Sequence, residues 1–159
     1  MNRPLVAIFA GLAAITTAFV STPNDAFAEG VKRVAIHVDE NDPKRMNMAL
    51  NNAANIFRYY DETGETVEIR LVANGPGLHM LREDTSPVKD RIAAMSLEHE
   101  GLTFAACGNT HRMMSKRSDE EIELLPEAEM IPSGVVELIE LQGQGWACLL
   151  YTSPSPRDS

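Results

Sequence analysis

The stretch Leu102-Thr103-Phe104-Ala105-Ala106-Cys107-Gly108-Asn109-Thr110-His111-Arg112-Met113-Met114 constrains the fold more than any other part of the chain. Its first five residues make an apolar run too short for a helix and bounded upstream by Gly101, which reads as a short strand. Cys107 ends that strand, Gly108 turns the chain, and Asn109 is placed to cap a helix running from Thr110. The Cys107 sulfur is therefore expected where a strand meets a helix N-terminus. In open α/β sheets ligands bind along this edge, outside the carboxyl ends of the strands. The helix dipole is worth roughly 0.3–1 kcal/mol, up to ~2 in favourable geometry. One pKa unit is ~1.4 kcal/mol, so a free-thiol value of ~8.5 would fall to about 7.5. The same position also suits an inert role, because free cysteine is among the most buried residue types.

The flanking sequence repeats the alternation of strand and helix. Val31 to Val38 is a β-branched run, followed by Asp42 as a helix cap and Pro43 as a first helical residue. Met46, Leu50, Ala53, Phe57 and Tyr60 then recur at helical spacing until Gly64, a stripe that belongs to a core. Val67, Ile69 and Leu71 alternate with Glu68 and Arg70 as a strand does. That strand ends in Asn74-Gly75-Pro76-Gly77, a turn whose glycines permit close approach to a ligand. Neither a Walker nor a dinucleotide glycine pattern is present, so no cofactor is expected.

A short helix is expected around Leu78–Glu83, and another from Ser86-Pro87 with Val88, Ile92 and Met95 inward. The Cys107 strand follows, with its helix running to about Lys116. Ser118-Asp119-Glu120-Glu121 is a capping-box pattern that predicts an acidic helix up to Leu125, stopped by Pro126. Met130-Ile131 suggests a short strand. Val135 to Leu141 fits a strand nearly as well as a helix, and the Ser133 cap with Gly143 and Gly145 favours the helix. A last strand starts at Trp146-Ala147. About five alternations predict a single-domain α/β fold, a mostly parallel sheet with helices on both faces.

Both ends stand apart from this pattern. Residues 1–28 carry Arg3, an apolar run from Leu5 to Val20 and then Ala26-Phe27-Ala28, the arrangement of a cleaved secretory signal. The run is short for a span of ~20 residues, which argues against a membrane anchor. Cleavage would leave a mature periplasmic domain over residues 29–147, starting at Glu29. From Cys148 to Ser159 the sequence is polar and proline-broken, and Leu149-Leu150-Tyr151-Thr152-Ser153-Pro154-Ser155-Pro156-Arg157-Asp158-Ser159 resembles a translated sequencing-adapter remnant. That tail is expected to add nothing to the fold.

A net charge of −9 with scattered lysines and arginines, and few aromatics, excludes nucleic acid and an anionic membrane surface as partners. Two cysteines, Cys107 and Cys148, suggest a disulfide by default in an exported chain.

Several of these segments together resemble the DsrE/DsrF-like proteins: Val34-Ala35-Ile36-His37-Val38 with its long helix, Asn74-Gly75-Pro76-Gly77, Cys107-Gly108-Asn109-Thr110, and Leu141-Gln142 with Gly145-Trp146-Ala147. The likeness spans about residues 31–147. It implies a YchN-like fold with five strands, assembly as a trimer or hexamer, and transfer of sulfur as a cysteine persulfide to a partner thiol. The sulfur-carrying cysteine maps onto Cys107. This chain departs from the well-known relays of the family, which are cytoplasmic, in carrying an export signal.

The leading reading is thus a sulfurtransferase-type carrier. Cys107 is its nucleophile, His111 one helical turn on moves a proton, and Asn74, Gly75, Gly77, Gly108, Asn109 and Thr110 support the site. Two other classes compete with it. Cys107, His111 and Met114 have the soft-ligand content of a copper site, with His37 and His79 as further candidates, although nothing reads as the usual β-sandwich and no resident metal is expected. The third is an oligomeric binding module whose cysteine is structural.

Overall fold

The strand expected at the start of the domain forms as β1, Lys32–Val38, in a computed structural model that describes residues 30–118 and 121–150. Helix α1, Pro43–Thr63, follows for local reasons. Asp42 accepts the Lys44 N–H at 2.9 Å, Pro43 fills the first turn, and Gly64 closes the helix at φ +72°. Met46, Ala49, Leu50 and Ala53 bury its inner stripe. Strand β2, Val67–Ala73, leads through a 3-10 segment, Gly75–Leu81, to α2, Lys89–Glu98. Then come β3, Leu102–Cys107, α3, Gly108–Ser118, β4, Ala128–Ile131, α4, Gly134–Gly143, and β5, Ala147–Leu150.

The five strands form one sheet in the order β4-β3-β2-β1-β5, and all four pairings are parallel. The steps from β1 to β2, β2 to β3 and β3 to β4 all move the same way across the sheet. Right-handed crossovers therefore put α1, the 3-10 segment, α2 and α3 on one face. That face carries the main core, including Ile36, Met46, Leu50, Ile69, Leu71 and Phe104. The return from β4 to β5 crosses back over the other face and lays α4 there. Leu138 and Leu141 of α4 pack on Ala35, Val72, Ala105 and Ile131, with Trp146 and Cys148 against them. Arg70 of β2 clips this second layer down, pairing with Glu137 of α4 and, at 2.9 Å, with Glu129 of β4.

Three segments differ from the sequence reading. The helix expected at Leu78–Glu83 begins earlier, as the 3-10 segment, because Asn74 leaves β2 extended and Pro76 suits a first turn. The acidic helix expected up to Leu125 is absent at residues 121–125, while Asp119 and Glu120 lie outside the described residues. There the chain is extended beside Arg82, with Leu125 N–H on Leu81 O at 2.9 Å and Glu83 N–H on Glu123 O at 3.0 Å, and Ile122 and Leu125 are buried. Tertiary pairing overrides the local capping pattern.

The third difference is at the end. β5 runs to Leu150, three residues past the expected boundary at 147, aligning Cys148, Leu149 and Leu150 with Ala35, Ile36 and His37. Residues 1–29, where the export signal and the mature start at Glu29 are expected, and residues 151–159 of the expected tail lie outside the described residues.

Candidate functional site

Cys107 closes β3 and stands immediately before Gly108, the first residue of α3. That puts Cys107 at the N-cap position of α3, with its sulfur beside the backbone N–H groups of Asn109 and Thr110, which favour the thiolate. A side chain at a helix N-cap binds the second and third helical N–H groups in this way. Asn109, expected as the cap, is instead exposed and bonded to Arg112.

Two more donors reach the sulfur. One is the Thr110 hydroxyl and the other is the N–H of Gly134, the first residue of α4. The sulfur therefore lies at the N-termini of two helices, one from each side of the sheet. Gly134 favours this approach. A Cβ there would stand 3.3 Å from Cys107 Cβ and 3.1 Å from Asn74 Cβ, which is tighter than side chains normally pack. Burial pushes the Cys107 thiol up, and the four donors outweigh it, holding the thiol below its ordinary value. Cys107 is only 4% exposed.

The Asn74–Gly77 turn reaches the same edge. Gly75 gives its N–H to Thr110 Oγ1 at 2.9 Å, and Asn74 Oδ1 accepts from His37 Nε2 at 2.9 Å. Gly77 was expected to allow close approach to a ligand, but its close neighbour is the chain itself. A Cβ at Gly77 would stand 2.2 Å from the carbonyl oxygen of Val38. Asp39, just beyond β1, has a buried Oδ1 with no hydrogen-bond partner among the described residues. A cleft of about 330 Å³ opens beside this turn, lined by Gly75, Pro76, Asn109, Thr110, Met113, Met114 and Arg117. A larger open groove of about 870 Å³, near Phe57 and His99, sits at the opposite edge of the sheet and touches none of these residues.

The structure does not bring every expected residue to the sulfur. His111 Nε2 donates to the Ile122 carbonyl at 2.7 Å, so its ring serves the 121–125 segment. Met114 lies partly buried against the main core, its sulfur 4.0 Å from Arg82 Nη1. His79 Nδ1 bonds Thr85 Oγ1 at 2.9 Å. The soft ligands named for copper thus face different parts of the fold. Cys107 and Cys148 are both free. Cys148 is in register with Thr103 across Ala35 and Arg70, three strand spacings away, and Cys107 lies four residues further along. That is about 14 Å sideways and about 13 Å along, far beyond the ~7 Å a disulfide can span.

Gly134 and the His37–Asn74 bond are the parts of the site that sequence reasoning missed. A signal for the first existed, since a glycine opens a helix at both Cys107-Gly108, directly after a strand, and Ser133-Gly134, two residues past one.

Cys107 thus stands at the carboxyl edge of a single-domain parallel α/β sheet, between the N-termini of two helices. The DsrE/DsrF-like family model matches residues 32–150, and the chain belongs to that family. A solved structure, a protein of unknown function, MTH1491, from Methanobacterium thermoautotrophicum, is 30% identical with a TM-score of 0.65. The match covers 76% of this chain and 99% of that one. No curated protein matches.

Proposed function

We propose that this protein is a periplasmic sulfur carrier working through Cys107. The observation that carries the reading is the place of Cys107, where the N-termini of α3 and α4 meet at the carboxyl edge of the sheet and their N–H groups favour the thiolate. The Cys107 thiolate attacks the outer sulfur of a donor persulfide, the donor S–S bond breaks, and its electron pair leaves with the donor as a thiolate. Cys107 then carries the outer sulfur as a persulfide. An acceptor thiolate attacks that sulfur in turn, and the Cys107 thiolate departs. No electrons are gained or lost overall. The four donors help twice, because the same thiolate is the nucleophile in the first step and the leaving group in the second.

Family membership supports a sulfur-relay type of role. Export rests on the Arg3, Leu5–Val20 and Ala26-Phe27-Ala28 pattern. Self-association is supported by exposed apolar side chains on α4, where Val135, Val136 and Ile139 are each at least half exposed. The binding-module reading also has an observation in its favour, the 4% exposure of Cys107.

The test uses a Cys148→Ala background, since Cys148 is a second free thiol. Incubation with polysulfide should add the mass of sulfur atoms to Cys107, and Cys107→Ser should abolish the label while the melting curve survives. A folded protein that takes up no sulfur makes Cys107 a structural residue.

A further inference from the structure

We propose that His37, on β1, is a positioning residue for Cys107: through Asn74 and the Gly75 N–H it fixes the Thr110 hydroxyl on the sulfur two strands away. The proposal rests on Cys107 being the reacting thiol.

The path is made of hydrogen bonds between three neighbouring strand ends. Asn74 Oδ1 is an acceptor, so His37 Nε2 is the donor in their 2.9 Å bond. Asn74 is tied to β1 a second time, by its own N–H on Val38 O at 3.2 Å. These two ties orient the Asn74–Gly75 peptide, and that orientation aims the Gly75 N–H at Thr110 Oγ1, 2.9 Å away. A hydroxyl has a single hydrogen. With the Gly75 N–H on its oxygen, the Thr110 hydrogen turns away from that bond and is left for the Cys107 sulfur, three residues earlier in the chain, whose thiol Thr110 helps hold down. Releasing the Asn74 side chain loosens the peptide, then the Gly75 bond, and finally the hold on the Thr110 hydroxyl.

Other charged groups around the two ends are engaged elsewhere or simply adjacent. Arg112 bonds Asn109, His111 bonds the Ile122 carbonyl, and Arg70 lies between Glu129 and Glu137. Near His37 the charged neighbour along the chain is Asp39, whose Oδ1 is buried without a partner among the described residues. The ring of His37 is half buried. A tie that served only to join β1 to β2 would be redundant, because those strands already pair over seven residues.

The experiment titrates the thiolate by its ultraviolet absorbance in the full chain with Cys148→Ala, subtracting the same chain with Cys107→Ser. No sulfur donor is present, so failure of sulfur uptake and failure of this proposal give different results. His37→Ala should move the Cys107 midpoint upward by about half to one pH unit, a threefold to tenfold loss of thiolate near neutrality. His37→Gln, whose amide can still donate to Asn74, should recover most of the shift. Thr110→Val should reproduce it, and adding His37→Ala to Thr110→Val should shift nothing further. If His37→Ala does not fold, His37→Asn, too short to reach Asn74, replaces it. A folded variant with an unmoved midpoint, or additive shifts in the double variant, overturns the proposal.

Discussion

A sulfur is a weak hydrogen-bond acceptor as a thiol and a much better one as a thiolate, so four donors around Cys107 select the charged form. This has a consequence for stability. The folded thiol lies below its ordinary value, so the unfolded chain binds the proton more tightly than the folded one does. The stabilisation is complete above the unfolded thiol value of ~8.5 and is lost as pH falls through the folded value. In the Cys148→Ala background, urea unfolding should therefore show Cys107 gaining on Cys107→Ser as pH rises from below the folded thiol's value to above the unfolded value of ~8.5. A constant difference between the two would mean that the donors do not favour the thiolate. The sequence could point to Cys107, since strand end, glycine and helix start are local signals. It could not point away from His111, because the carbonyl that takes its ring comes from the 121–125 segment, which was expected to be helical.

At the scale of elements, legibility tracked how local the cause was. Helix α1 was readable because its cap, first-turn proline, stripe and terminal glycine all lie within its own sequence. The segment after α3 was misread because Ile122 and Leu125 are buried by pairing with the Leu81–Glu83 stretch about forty residues earlier. The Asn74–Gly77 turn was located correctly, yet its glycine serves the fold. Gly77→Ala would drive a Cβ to 2.2 Å from the Val38 carbonyl oxygen and 2.9 Å from Asp39 Cα, both backbone atoms that no rotamer change can move. The expected cost is about 3 kcal/mol or more, read as a collapse of the melting temperature. Gly143→Ala, at the end of α4 with nothing within 4 Å, should be neutral or stabilise by up to ~1 kcal/mol. Equal effects at the two positions would show that the 3-10 segment yields easily.

For the whole molecule, the order β4-β3-β2-β1-β5 makes α4 alone, among the described residues, responsible for the second face of the sheet, with β5 the strand that follows it. The parallel sheet and its two layers were legible from the alternation of elements, but the extent of β5 was not. Its residues contribute mainly backbone pairing to β1, and Leu149 and Leu150 remain 37% and 55% exposed, so they leave no alternating burial pattern to read. Cys148 is the exception, packing with Trp146 against the α4 layer. β1 also holds His37, which pairs in register with Leu150. Ending the chain at Ala147 therefore removes three of four pairings from one side of β1, together with part of the small core under α4. A chain ending at Ala147 should melt several degrees below one ending at Leu150, a loss of about 1 kcal/mol or more. Amide exchange should quicken along Val34–His37, the stretch that β5 covers, and leave β3 little changed. Equal melting of the two chains would mean that β5 adds nothing to β1, and that the sheet is stable with four strands.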